Sequence, residues 1–146
     1  MFIIRRILRF LCRLLGLFCK PPKHVSHLKA TVVKGPNMTQ VVNLAWTLPT
    51  ARTDGSALAP SDIAKVTVQT TIPGNPNVVS VDLPGTATSF TTPDLSGTPG
   101  GYGFLVFVTD TAGNQSQGAT TSATIAPPTI APPNPVTGLT ATVVSS

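Results

Sequence analysis

The chain has 146 residues, room for one domain and its appendages, and only 10% of them are charged. Glu is absent, while 15 Pro and 12 Gly punctuate a sequence rich in Thr and Val, which argues against a helical or coiled-coil protein and for short strands joined by turns. The net charge of +5 is uneven: Arg5, Arg6, Arg9, Arg13, Lys20 and Lys23 crowd the first 23 residues, and beyond them Lys29, Lys34, Arg52 and Lys65 face five Asp, too scattered for a nucleic-acid footprint.

Residues 1–20, MFIIRRILRFLCRLLGLFCK, predict an amphipathic helix. At the helical period Arg5, Arg6, Arg9, Arg13 and Lys20 share a stripe roughly 100° wide, and Phe, Leu and Ile cover most of the rest. Such a helix suits a membrane interface or the inside of an assembly, each cation contributing about 1 kcal/mol near an anionic surface. Other readings compete. A secretory signal needs a longer apolar core than Leu14–Cys19, and LFCKPPK offers no small-residue cleavage site. A spanning helix would have to carry four arginines, and RRILRFL is only loosely like a twin-arginine signal. Docking on another protein is the remaining reading. Both cysteines, Cys12 and Cys19, lie on one flank of this helix. S-acylation is open to them, against the simpler reading of two small apolar residues in a greasy helix. Their absence elsewhere excludes a disulfide framework in the domain.

From Pro21 the period changes from helical to alternating. HLKATVV sets Leu28, Ala30 and Val32 on one face, and VVNLAWTLP sets Val42, Leu44 and Trp46 on one face. TDGSALAPSD reads as a turn-rich connection around Asp54-Gly55. AKVTVQTTI sets Ala64, Val66 and Val68 against Lys65, Thr67 and Gln69. VVSVDL and TATSFTTPDL follow, then YGFLVFVTD with Tyr102, Phe104, Val106 and Val108 on one side, a TAGNQSQ turn, and ATTSATI. Seven period-two strands of about five to eight residues predict an all-β, antiparallel, two-sheet sandwich preceded by the N-terminal helix.

LAWTLP, TDG and SFTTPDLSGTPGGYGFLVFVTDTAGNQS together resemble a fibronectin type III domain of the bacterial and phage type over residues 24–126. The resemblance implies a core Trp on the second strand (Trp46), a Leu before the corner that precedes the sixth strand (Leu95), a Tyr whose hydroxyl ties back to nearby backbone (Tyr102), and a Gly113-Asn114 turn. GTPGG before Tyr102 departs from the pattern as an insertion.

Chemistry is sparse. The only histidines, His24 and His27, stand at the domain's leading edge, away from any thiol, so no nucleophile–base pair is evident. The five Asp are not locally paired, no Cys/His spacing suits zinc, and Asp110 with Asn114 supplies too few ligands for calcium and reads as a polar hairpin turn. The chain reads as non-enzymatic, without cofactor or metal. The most suggestive surface is the outward side of YGFLVFVTD, where Leu105 and Phe107 face away from the inward set with Lys65 on the neighbouring strand. Apolar residues there mark either a partner surface or a face covered by other parts of the chain.

Finally, Pro132–Val144 repeats Pro21–Val33 at an offset of 111 residues, identical at the Pro pair, the Val, the Leu and the run Ala-Thr-Val-Val. The organisation expected is therefore a helix or anchor at 1–20, a sandwich at 21–126, a semi-rigid Pro-rich linker at 127–135 and a partial repeat of the first strand at 136–146. That repeat reads as a relic of a tandem array, as a strand that pairs with a neighbouring copy, or as one that folds back. The function expected is a non-catalytic binding or structural module, displayed from a membrane or particle surface by its N-terminal helix for adhesion or assembly. The alternative is a phage virion structural or decoration protein whose arm docks on capsid protein or, less plausibly, on packaged nucleic acid. A protein or glycan ligand is left unnamed.

Overall fold

The structure is a computed structural model, and it describes residues 20–130, 132–135, 137, 138 and 140–143. The helix expected over 1–20, with Arg5, Arg6, Arg9, Arg13, Cys12 and Cys19, lies outside the described residues apart from Lys20, which is exposed and in no regular element.

Among the described residues seven strands form: β1 (Ser26–Lys34), β2 (Gln40–Thr47), β3 (Ile63–Thr71), β4 (Val78–Pro84), β5 (Ser89–Thr91), β6 (Gly100–Asp110) and β7 (Ala119–Ile125). They make two antiparallel sheets, one ordered β1-β2-β5 and the other β4-β3-β6-β7. The alternation of apolar and polar residues determines which side of each strand turns inward. Val42, Leu44 and Trp46 of β2 meet Val66 and Val68 of β3 and Tyr102, Phe104, Val106 and Val108 of β6, all buried. Each such side chain contributes about 1.5–3 kcal/mol on leaving water. β1 covers one side of this core with half-buried Leu28, Ala30 and Val32.

The polar atoms of the large core residues find partners. Trp46 Nε1 donates to the Ala87 carbonyl at 2.9 Å, and the Tyr102 hydroxyl donates to the Thr98 carbonyl at 2.8 Å. Leu95 packs, partly buried, against the same core.

Three details differ from the sequence expectation. Ala64 is exposed, not inward, because the register slips between Ile63 and Lys65: two residues of β3 answer one step of β6, and Ile63 takes the buried place. Strand lengths range from the three residues of β5 to the eleven of β6, outside the expected span. β5 stops early because Pro93 has no amide proton for the ladder and the Thr92 hydroxyl accepts the Val42 amide at 2.9 Å in place of a backbone carbonyl. Last, part of the supposed GTPGG insertion is strand: Gly100 and Gly101 pair with Ile125 and Thr124. In the partial repeat, described residues 137, 138 and 140–143 are exposed and in no strand, and Val143 is 91% exposed.

Candidate functional site

Register places every residue on the outer face of the four-stranded sheet. One row across β4, β3, β6 and β7 reads Ser80, Gln69, Leu105, Thr120, and the next reads Asp82, Thr67, Phe107. Lys65 stands one step further along β3, beside Thr109. These are the positions of the candidate partner surface, and the structure brings Lys65, Leu105 and Phe107 onto one face.

That face is less open than alternation alone suggests. Leu105 and Phe107 are half-buried, and Thr67 and Thr109 are buried although they point outward. Leu105 leans over Gly118, where any side chain would collide with its isobutyl group. Phe107 is flanked by a polar cluster in which Lys65 Nζ and the Thr67 hydroxyl donate to the two oxygens of Asp82 at 2.6 and 2.7 Å. The Lys65 hydrogen bond, then that of Thr67, holds the Asp82 carboxyl below its ordinary value. With both partners well exposed, the Lys65–Asp82 pair adds little stability and mainly fixes charge positions. Among the described residues the exposed large apolar side chains are elsewhere: Val78 and Val79 on the β4 edge, Val33 and Met38 around the β1–β2 turn, and Ile130 and Val143 beyond β7.

A second constellation, at one end of the sandwich, joins the Asp110–Asn114 turn to a residue the sequence reading did not connect with it. Arg52 was there only one of four scattered cations. Its Nη1 donates to Asp110 Oδ2 at 2.6 Å and to the Lys20 carbonyl at 3.0 Å. The Asp110 side chain has no exposed surface. Its Oδ1 accepts the backbone amides of Ala112 and Asn114, and Asn114 Nδ2 donates to Oδ2. Burial pushes this carboxyl up, but the Arg52 guanidinium and the Asn114 donors outweigh it and hold it below its ordinary value. Its oxygens are thus occupied by N–H donors, as a hairpin-turn role requires, and no group of metal-ligating residues occurs among the described residues.

The same corner ties down the chain that leads from the arm. Lys23 donates its amide to the Ala51 carbonyl at 3.0 Å, Thr53 donates to the Pro21 carbonyl at 3.0 Å, and Pro22 bridges to Arg52 and is buried. Arg52 and Asp110 are 58 residues apart, so no local spacing signals the pair. A lone Arg beside a DG turn was the only available hint.

His24 and His27 are exposed, and the His27 ring lies 3.2 Å from the Ser26 hydroxyl. Among the described residues no helix is long and apolar enough to cross a membrane.

No protein-family model matches the chain, and no curated protein is similar to it in sequence. Solved structures share its fold. A computer-redesigned β-sandwich protein aligns over 72% of this chain and 96% of its own, with TM-score 0.55 and 18% identity. An FN3 domain of human collagen XX aligns over 73% and 94%, with TM-score 0.52 and 16% identity. The FN1–FN3 domains of chicken CNTN1 give TM-score 0.52 and 8% identity over 72% of this chain and 31% of theirs. What is shared at these identities is the fold, a fibronectin type III-like β-sandwich of two antiparallel sheets.

Proposed function

We propose that this chain is a non-catalytic binding and structural module, a fibronectin type III-like sandwich held at a membrane or particle surface by residues 1–20 and presented outward for adhesion or assembly. The observation that supports this reading is the clamp on Lys20–Lys23. Arg52, Thr53 and Ala51 grip the segment that joins arm to sandwich through three hydrogen bonds. A module on a loose tether has no use for such a grip, whereas one displayed at a surface is held at a set angle by it. Arg5, Arg6, Arg9, Arg13 and Lys20 supply the charge that meets anionic headgroups or an acidic protein, and Cys12 and Cys19 are the residues available for acylation. The face with Lys65, Leu105 and Phe107 is the contact surface for a protein or glycan ligand.

Flotation on liposomes of neutral and of anionic composition tests this. The full chain is expected to float with anionic vesicles and to lose binding as salt rises, and a chain lacking 1–19 is expected to stay at the bottom. If the full chain stays down with both vesicles, membrane display is wrong. Arm-dependent sedimentation as large particles under those conditions would favour docking on a virion or filament component. A steep salt-dependent affinity for DNA would instead identify packaged nucleic acid as the arm's partner.

A further inference from the structure

Residues 132–144 repeat 21–33, and the structure gives the repeated segment a specific job in the first copy: it is β1 and the approach to it, paired with β2 through Ala30↔Leu44, Thr31↔Asn43, Val32↔Val42 and Val33↔Val41. The second copy carries the same Ala-Thr-Val-Val run at Ala141–Val144.

The correspondence extends to the backbone. β1 contains a bulge, the register shifting between Ser26 and Lys29, and His27 within it sits at φ 53°. That left-handed conformation is disfavoured for any residue with a Cβ and natural to glycine. The residue aligned with His27 is Gly138, and it sits at φ 77°. The second copy thus has glycine at the one position of the bulge where the first copy is strained. It also has Thr140 where β1 has Lys29. By backbone fit the second copy is the better β1.

It cannot be the β1 of its own sandwich. β7 ends beside the start of β2, where Gln40 Nε2 donates to the Ala126 carbonyl at 2.9 Å. Gln40 pairs with Lys34, the last residue of β1. To lie in β1's register, Pro133 would have to reach the place of Pro22, at the other end of the sandwich beside Arg52. The extended run from Lys34 back to Pro22 is about 40 Å, and the seven residues from Ala126 to Pro133 span at most about 25 Å. The described part of the segment accordingly lies free of the sandwich, exposed throughout.

We propose that residues 132–144 of one copy take the place of β1 beside β2 in a second copy, linking copies head to tail. Residues 127–131, opened by Pro127 and Pro128, hold the donor segment away from the sandwich it leaves. The contact joins unlike surfaces, so repetition gives an open string or a closed ring, the smallest ring being two copies that exchange strands reciprocally. Each copy's own β1 is tethered to β2 by only a short turn and competes with the incoming strand. Exchange therefore rises with concentration and is greatest where copies are crowded together. The proposal does not depend on how residues 1–20 are used.

Disulfide trapping tests it. In the full chain with Cys12 and Cys19 replaced by Ser, Thr142→Cys and Asn43→Cys are introduced together. Thr142 aligns with Thr31, which sits directly opposite exposed Asn43, and directly opposed strand residues are close enough to bridge. Under oxidised glutathione, linked dimers and higher rungs are expected, their share growing with protein concentration. Thr31→Cys with Asn43→Cys is the control that should close within one chain. A Thr142→Cys/Asn43→Cys product that is solely an internally bridged monomer overturns the exchange in favour of fold-back. No bridge at all, with the control closing, overturns it too. Gly138→Val, which sets a β-branched residue in the left-handed position, should cut the trapped fraction roughly fivefold. His27→Gly, which relieves the resident β1, should cut it by a similar factor. An unchanged yield in Gly138→Val would mean that the segment does not adopt the β1 bulge.

Discussion

The sandwich is pinned at both ends by an aspartate that accepts backbone amides from a distant or turning segment, and the two are held in different ways. Asp94 accepts the amide of Gln40, 54 residues away, together with the amide and hydroxyl of Ser96. It is exposed, and among the described residues no cation pairs with it. Asp110 collects a similar set of amides but is buried, and it has Arg52. The difference follows from solvation. Water stabilises the charge on Asp94, so amide donors suffice. Asp110 has lost that water, and a guanidinium with several donors takes its place.

Removing the cation separates the two cases most sharply. Arg52→Ala strands a buried carboxylate and should lower stability by about 3 kcal/mol in urea titration at neutral pH. It should also loosen the grip on Lys20. A loss near zero would show that Asp110 is solvated in solution and that the two corners are equivalent.

Acid titration sharpens the same contrast. Both carboxyls are held below their ordinary value, Asp94 by the Gln40 and Ser96 amides and Asp110 by Arg52 and Asn114 against the opposing pull of burial. A depressed carboxyl contributes stability that is fully present above about pH 4 and is lost as pH falls through the folded-state value. The parent should therefore begin to lose stability only below about pH 4. In Arg52→Ala the burial of Asp110 is opposed by fewer donors, so its proton is taken up at higher pH and acid unfolding should begin earlier. Midpoints from fluorescence of Trp46 would read this directly.

Asp94→Ala should have the smallest effect. It removes an exposed acceptor and leaves no charge stranded, losing one partly buried amide bond to Gln40. Its urea midpoint should fall by less than that of Arg52→Ala. Equal falls would place the main restraint in the amide bonds and not in the ion pair.

These corners also mark where the sequence is readable. The inward faces of β2 and β6 were legible because alternation runs unbroken through Val42, Leu44 and Trp46 and through Tyr102, Phe104, Val106 and Val108. Alternation read back from Val66 and Val68 misled at Ala64, since the bulge between Ile63 and Lys65 breaks the period there and leaves no mark in composition. The connection 53–62 reads as turn-rich, yet Leu58 is buried in it. That contact depends on the loop folding back on the sandwich, which no period encodes. The Arg52–Asp110 pair was out of reach for the same reason: two charges in different turns meet only once the sheets have closed. On the outer face the sequence identified Leu105 and Phe107 as neighbours of Lys65 but not their partial cover, because Gly118 reads as a turn residue until its strand lies beside Leu105.

The run of the chain through the sandwich has a mechanical side. Lys20 is gripped at the Arg52 corner, and Ala126 is gripped by Gln40 at the opposite end. A pull between these two points runs along β1 and β7, parallel to the strands and across their hydrogen bonds. The β1–β2 ladder is then loaded in shear, its bonds sharing the force, and is not peeled open one rung at a time. A string of such units would resist tension at every bead.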